Sequence, residues 1–490
     1  MCGIACAFGP DPEAARRDVE RMCDQMIARG PDDAGVSVLT LDGGAVALGN
    51  RRLAIIDPSP AGHQPMPDPD RGNTIVFNGM IYNYRELRDE LVQAGERFAS
   101  DCDTEVVLKA YGRFGADCAR RLRGMFAFAV WDASRREMFL ARDRLGIKPL
   151  YYWQRGRMIL VASQVKALLQ AGRVPALLSP TGIATYLAYG AVSEPLTAID
   201  GVLALPAGHT AVVRDGRITV ERYWRPRAVA DALPPRQDAV RELRHRLEDS
   251  VQRHLLSDAP SGVYLSGGVD SSVLAALAAR ETSRLRTVSV VFDDRAFSEA
   301  PYQDLVARHI GSEHARLTLR PHDVLGWRED IFRAMDQPTF DGVNTFAVSR
   351  AAAASGLKVA LSGLGADELF DGYGYARRVA ALDRLRRLPR PIARIAGSAA
   401  GVAMRSANRE KLSAWLGSRG GSAYELLRRV FLEDEVERMA VSTAEPAPRP
   451  EAPFGLPDVC ARVSVQDLTH YTKNVLLRDT DAMSMAHSIE

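Results

Sequence analysis

"YLSGGVDSS", residues 264–272, decides how the second half of the chain folds. The apolar run "SGVYLS" delivers Ser266, Gly267 and Gly268 into a tight turn. Asp270, Ser271 and Ser272 then open an alanine-rich helix with residues of the capping type. Successive backbone N–H groups at such a junction, backed by the positive end of the helix dipole, cradle a phosphate. The lysine of a GxxxxGK[ST] loop is missing, which excludes that kind of nucleotide site. The same strand-then-helix texture recurs in "RTVSVVF" before "APYQDLVARHIG", and in "LKVALS" before "ADELFDGY". The repetition predicts an α/β doubly wound parallel sheet with ligands beyond the carboxyl ends of its strands. Its other informative strand end is "LSGLGADELFDGY", Leu361 to Tyr373.

Upstream the texture differs. Short runs such as "GVSVLTLDGGAVALG", "RLAIID", "TIVFNG", "MFAFAVWD", "EMFLARD", "LYYWQ" and "MILVAS" are punctuated by Gly, Asp and Asn. They predict stacked, largely antiparallel sheets. Two stretches with helical spacing, "PEAARRDVERMCDQMIARG" and "YRELRDELVQAG", predict helices packed outside them, an α+β layered domain. "AVADALPP", Ala228 to Pro235, is expected to link the halves, and the Ala/Pro-rich "STAEPAPRPEAP" to form a surface loop.

The 490 residues, 46% hydrophobic and 25% charged, suffice for two or three cores. Lys plus Arg total 63 against 61 Asp plus Glu, so no global field points to nucleic acid or an anionic membrane. The arginine run "RRVAALDRLRRLPRPIAR" reads as a solvated helix face. Six scattered cysteines form no Cys-x-x-Cys pair and no zinc spacing, which favours reduced thiols in a cytoplasm. No secretory signal and no apolar run of membrane-spanning length is found.

Cys2 directly follows the initiator methionine. Once Met1 is removed, its α-amine, with an ordinary pKa of about 7.7–8, can serve as base for its own thiol. The segments that follow in order are "RGPDDAG", "RRLAIID", "GHQPM", "FNGMIYNY", "SDCDTEVVL", "RGMFAFAVWD" and "ARDRLGIKPLYY". Together they resemble the N-terminal-nucleophile glutaminase domain, an αββα sandwich, of class II glutamine amidotransferases. With "SGGVDSS" added, the chain is similar to the glutamine-hydrolysing asparagine synthetases of the bacterial B type. The resemblance implies a glutaminase domain over residues 1–225 and an ATP-pyrophosphatase synthetase domain over 236–490.

The remaining expectations follow from that resemblance. Cys2 attacks the glutamine amide, Asn78 and Gly79 form the oxyanion hole, and Arg52 and Asp103 hold the glutamine carboxylate and α-amine. Leu53, Ile55, Ile56 and Met80 complete the glutamine pocket. Leu265, Ser266, Gly267, Gly268, Asp270, Ser271, Ser272, Val290, Ser362 and Gly363 bind ATP, and Asp270 and Asp367 hold Mg2+. Ammonia passes through a tunnel to an acyl-adenylate, so the partners are glutamine, ATP and aspartate, with no nucleic acid and no membrane. A homodimer is compatible with the family.

Four positions depart from the family's pattern. Met80 stands where Asn-Gly-Glu places a carboxylate. Leu364 replaces a glutamate thought to act as base, and Ala482 a lysine facing the phosphates. The sequence also stops at "MSMAHSIE", where family members continue, so a C-terminal truncation is expected. These departures keep two alternatives open: an amidotransferase for a different carboxylate, such as a secondary metabolite or glycan, and a nucleotide-binding homologue that has lost synthesis.

Overall fold

The computed structural model describes residues 2–41, 43–227, 234–294, 298–389, 392, 411–413, 415, 416, 421–439, 450, 456 and 458–490. In the first half, Gly3–Gly9 lies between Gly44–Arg52 and Met158–Ala162, with Asp33–Leu41 at one edge and Tyr151–Arg155 and Val202–Ala204 at the other. All pairings are antiparallel. A second antiparallel six-stranded sheet centres on Gly124–Asp132, flanked by Thr74–Ile81 and Glu137–Arg142.

The alternation along each strand builds the layers. Ile4 and Cys6 point inward with Val46 and Leu48 to meet Val76, Ala127, Ala129 and Leu140 of the other sheet. Ala5 and Ala7 face the opposite way, under the helix Pro12–Gln25. Helices Tyr84–Gln93 and Asp103–Phe114 cover the outer face of the second sheet through Leu87, Leu91 and Val107. The result is the expected αββα sandwich.

The second half carries a four-stranded parallel sheet in the order Glu313–Leu319, Arg286–Phe292, Ser261–Tyr264, Val359–Leu361. Helices Val269–Glu281, Ala300–Ile310 and Val343–Ala354 alternate with these strands. No helix among the described residues is long and apolar enough to cross a membrane. All six cysteines are free thiols.

Two expectations are corrected. "RLAIID" is not a strand: pairing ends at Arg52, whose guanidinium gathers the carbonyls of Ile56, Asp57 and Ser59 into a loop, with Asp57 at φ 50°. The start of Val269–Glu281 has no side-chain cap either. Ser271 and Ser272 donate their hydroxyls to Gly268 O, a back-bonding geometry that leaves first-turn N–H groups for another acceptor. Within the proposed linker, 228–233 lie outside the described residues, as does "STAEPAPRPEAP" apart from Pro450. Residues 377–387 of the arginine run lie in the helix Tyr375–Arg387, whose Ala376 and Val379 are buried while Arg384, Arg386 and Arg387 are exposed; 390, 391, 393 and 394 of the run lie outside the described residues.

Candidate active sites

Cys2 immediately precedes the central strand Gly3–Gly9 and is 6% exposed. Its N–H donates to Asn78 Oδ1 at 3.0 Å, on the strand Thr74–Ile81 of the facing sheet. Because the amide oxygen takes this bond, the Asn78 NH2 group points elsewhere, and it is buried without a hydrogen-bond partner. A buried unmade donor costs about 1–3 kcal/mol. An oxyanion forming beside it would remove that cost in the transition state alone. Burial pushes the Cys2 thiol's pKa up, while the amino-terminal charge, the Leu53 N–H and Arg52 pull it down.

Arg52, 4% exposed, therefore lies near the thiol, as expected, although its guanidinium is partly spent on backbone carbonyls. Asp103 opens the helix Asp103–Phe114 and accepts from Ile81 N at 3.0 Å. Burial raises its carboxyl to about 6. Leu53, Ile55 and Ile56 sit in the apolar core with Met80, which is 3% exposed and brings no charge. Gly79 lies in the strand opposite Phe126. Cys2, Arg52 and Asn78 thus converge from three separate segments, and Asp103 is fixed to the strand of Asn78 through Ile81.

One group of residues the motifs did not single out joins them. Arg29 Nε donates to the Cys2 carbonyl at 3.2 Å, and its two terminal nitrogens fork onto Asp481 at 2.7 and 3.0 Å. Lys148 Nζ lies 3.4 Å from Asp481 and 3.2 Å from Glu490. The backbone of the N-terminal cysteine is therefore tied to the helix Arg478–Met485 of the other half. Arg29 sits in "RGPDDAG" and Asp481 in "RDTDAMSM", but nothing in either stretch names its partner 452 residues away.

In the second half, Ser261–Tyr264 leads into the turn Leu265–Gly268. Leu265 N donates to Val288 O at 2.9 Å, which holds the turn at the strand end. Gly267 takes φ +89°, a conformation that requires glycine. Ser266 Oγ accepts from Gly268 N at 3.2 Å and lies 2.8 Å from Ser271 Oγ. Gln303 Nε2 donates to both Ser266 O and Val290 O at 3.3 Å, bracing the loop against the neighbouring strand.

The second strand end comes close. A Cβ on Gly363 would stand 3.1 Å from Ser271 N and 3.3 Å from Asp270 Cβ, a close approach that favours glycine. Ser362 Oγ accepts from Leu364 N at 3.3 Å. Partial burial raises the Asp270 carboxyl, and the nearby Asp367 charge raises it further. Asp270, whose ionisation the neighbouring Asp367 disfavours, fits with it a shared divalent cation, with a bound phosphate chain supplying the other oxygens. No cluster of three or more His, Cys, Asp or Glu suited to a metal occurs among the described residues. Leu364 is 40% exposed at this end, and Ala482, 8% exposed, follows Asp481.

Comparison with known proteins is consistent across the chain. Residues 1–224 match a glutamine amidotransferase domain, and residues 242–490 match asparagine synthase. A putative glutamine-hydrolysing asparagine synthetase of Mycobacterium tuberculosis H37Rv is 38% identical over 421 residues, covering 81% of this chain and 64% of the relative. Asparagine synthetase 1 of Bacillus subtilis is 36% identical over 397 residues, covering 79% of this chain and 61% of the relative. A Gibberella zeae protein named amidase chry2 is 30% identical over 406 residues, covering 76% and 59%. The chain thus spans less than two thirds of the length of these relatives. With both domain matches in sequence and this identity over most of its length, the chain belongs to the asparagine synthase family, with an N-terminal glutamine amidotransferase domain.

Proposed function

We propose that this chain uses glutamine and ATP to amidate a carboxylic acid, aspartate foremost, giving the amide, glutamate, AMP and pyrophosphate. Residues 1–225 are the glutaminase half and 236–490 the synthetase half. The observation that carries the reading is the Cys2–Asn78 pair, with its orphaned amide donor, joined through Arg29 and Asp481 to the half that carries the glycine turn.

With Met1 removed, the Cys2 nitrogen held by Asn78 becomes the α-amine that takes the thiol proton. The thiolate adds to the glutamine side-chain carbonyl, and Asn78 Nδ2 with Gly79 N–H stabilises the resulting oxyanion. Ammonia leaves as the thioester forms, and water then releases glutamate. Arg52 and Asp103 orient the substrate's carboxylate and ammonium. Met80 contributes no charge, so Asp103 holds the ammonium without a second carboxylate from that position.

In the other half, the N–H groups at Gly267–Ser271 bind the pyrophosphate portion of ATP. Asp270 and Asp367 would hold Mg2+, which neutralises the departing pyrophosphate when bound. The acceptor carboxylate attacks the α-phosphorus near Ser362 and Gly363. Ammonia then displaces AMP.

Asn78→Ala is expected to lower glutaminase kcat by about 10²–10³-fold, the loss measured for removal of one oxyanion donor; glutamate release assays check it. Asp103 must be ionised to bind an ammonium. Since burial raises its pKa to about 6, kcat/KM for glutamine is expected to rise with pH through that value and then level off. Asp103→Asn should lower kcat/KM and flatten this limb.

A second reading is favoured by Leu364 and Ala482, neither of which can transfer a proton or bind phosphate: the same chemistry on a different acid. A screen of carboxylic acids scored by AMP release, with glutamine and then ammonia as nitrogen source, separates the two. Asparagine formation from aspartate supports the first. AMP release only with another acid supports the second, and no AMP with any acid sinks both in favour of a nucleotide-binding homologue.

A further inference from the structure

A cavity of about 390 Å³ lies away from the Cys2 site, where Tyr189–Ser193 of the first half meets Lys411, Leu427–Val430 and His470–Val475. Its volume falls within the range of small-molecule pockets. Among the described residues its wall contains three cationic side chains, Lys411, Arg428 and Arg429, and no acidic one, although the Glu435 charge acts on Lys411 from outside the wall. Arg428 is already committed: Asp467 pairs with it at 2.5 Å and Tyr471 stacks on it at 3.8 Å. Arg429 lies over the Tyr189 ring at 5.3 Å, with no carboxylate partner among the described residues. Lys411 donates to Arg429 O at 2.8 Å.

Two residues of its wall carry buried polar atoms without a hydrogen-bond partner. His470 is 8% exposed, yet neither ring nitrogen has a hydrogen-bond partner, and the Ser193 hydroxyl, 3% exposed, is likewise unmatched. Buried polar groups are nearly always paired. Two unmatched side chains and two cations on one cavity wall point to an anionic ligand with several hydrogen-bonding atoms. Burial lowers the His470 pKa to about 3, so the neutral ring offers one donor and one acceptor.

The cavity is linked to the proposed ATP site through one segment of its wall. The segment Asp467–Leu477 packs against the helix Ala366–Phe370, which follows Ser362 and Gly363 and carries Asp367. Tyr373, at the end of that turn, donates to Glu368 at 2.9 Å and faces Arg428 at 5.6 Å.

We infer that this cavity binds the acceptor as a small dicarboxylate: Arg429 and Lys411 hold the carboxylate that does not react, while His470 and Ser193 bond its polar backbone. The inference rests on the proposed amidation, but its site can be tested apart from it. The chain is titrated calorimetrically with L-aspartate, L-glutamate and succinate in the absence of ATP, alongside Arg429→Ala, Lys411→Ala and the charge-preserving Arg429→Lys.

At least one of the three acids is expected to bind, with about tenfold or greater weakening in each alanine variant and partial recovery in Arg429→Lys. Absence of binding by all three, or affinity unchanged in the folded alanine variants, overturns the site. Measured in parallel with ammonia as nitrogen source, AMP release should show a raised KM for the acid in Arg429→Ala and an unchanged KM for ATP. Binding through the cavity without any AMP release would leave the site standing and defeat the proposed reaction. AMP release with an unaltered acid KM would do the reverse.

Discussion

Replacing Cys2 with alanine is expected to lower glutamine-dependent amide formation on the order of 10⁴-fold or more, while the rate with free ammonia stays within about twofold of the parent. The size follows from losing the nucleophile itself, for which no nearby group can substitute. Among the remaining cysteines Cys6 and Cys23 are closest in sequence, and both are buried with thiols pushed up by that burial, Cys23 to about 12. The selectivity follows because the glycine turn at 266–268 and the Asp270–Asp367 pair lie beyond the strand ends of the parallel sheet, while Cys2 and Asn78 belong to the two antiparallel sheets. Parallel assays of glutamate, AMP and amide with each nitrogen source check both halves of the statement. Equal loss with glutamine and with ammonia would refute the assignment of Cys2 to nitrogen release alone.

The second large effect concerns stability. Asp481, fully buried, accepts both arms of Arg29 and faces Lys148, and the side chains of Arg29 and Asp481 are 2% and 4% exposed. Asp481→Ala strands the buried Arg29 and leaves Lys148 with Glu490 alone, a loss of about 3–5 kcal/mol when one partner of a buried pair is removed. The first thermal or denaturant transition is therefore expected to fall sharply in the variant. Because Arg29 also donates to the Cys2 carbonyl, glutaminase activity is expected to drop even though Asp481 belongs to the other half.

The pH dependence has a definite sign. Burial pushes the Asp481 carboxyl up, but Arg29 and Lys148 outweigh it and hold the carboxyl below its ordinary range. A depressed acid contributes stability above its unfolded pKa of about 3.9 and loses it as pH falls through the folded value. The gap between parent and variant is thus largest near neutrality and closes in acid. Equilibrium unfolding at several pH values checks this; a gap that widened in acid would contradict the ion-pair origin.

How much of this was legible beforehand depends on the range of the interaction. Strands such as "TIVFNG" and "MFAFAVWD" were readable because apolar runs of that length between turn residues have few other uses. Glu313–Leu319 was not legible: it is an edge strand, and "EHARLTL" exposes Glu313, Arg316 and Thr318 in place of an apolar run. "RLAIID" misled for the opposite reason. It looks like a strand, but the Arg52 side chain folds it into a loop by binding the carbonyls that would otherwise enter a ladder.

By itself, the sequence determined the local chemistry: a cysteine beside the amino terminus, a glycine turn between strand and helix, two acids at strand ends, and the order of elements that makes one sandwich and one parallel sheet. The cysteine, the glycine turn and the setting of each acid depend on residues within a dozen positions, where local spacing governs geometry, and the element order is read directly along the chain. Only the tertiary structure decided that Asn78 would bond Cys2, that Arg29 would meet Asp481, and that Arg429, Lys411 and His470 would share a cavity with Ser193. Those contacts join segments tens to hundreds of residues apart. A surface charge and a buried ligand of an ion pair are the same letter until packing removes the water from one of them.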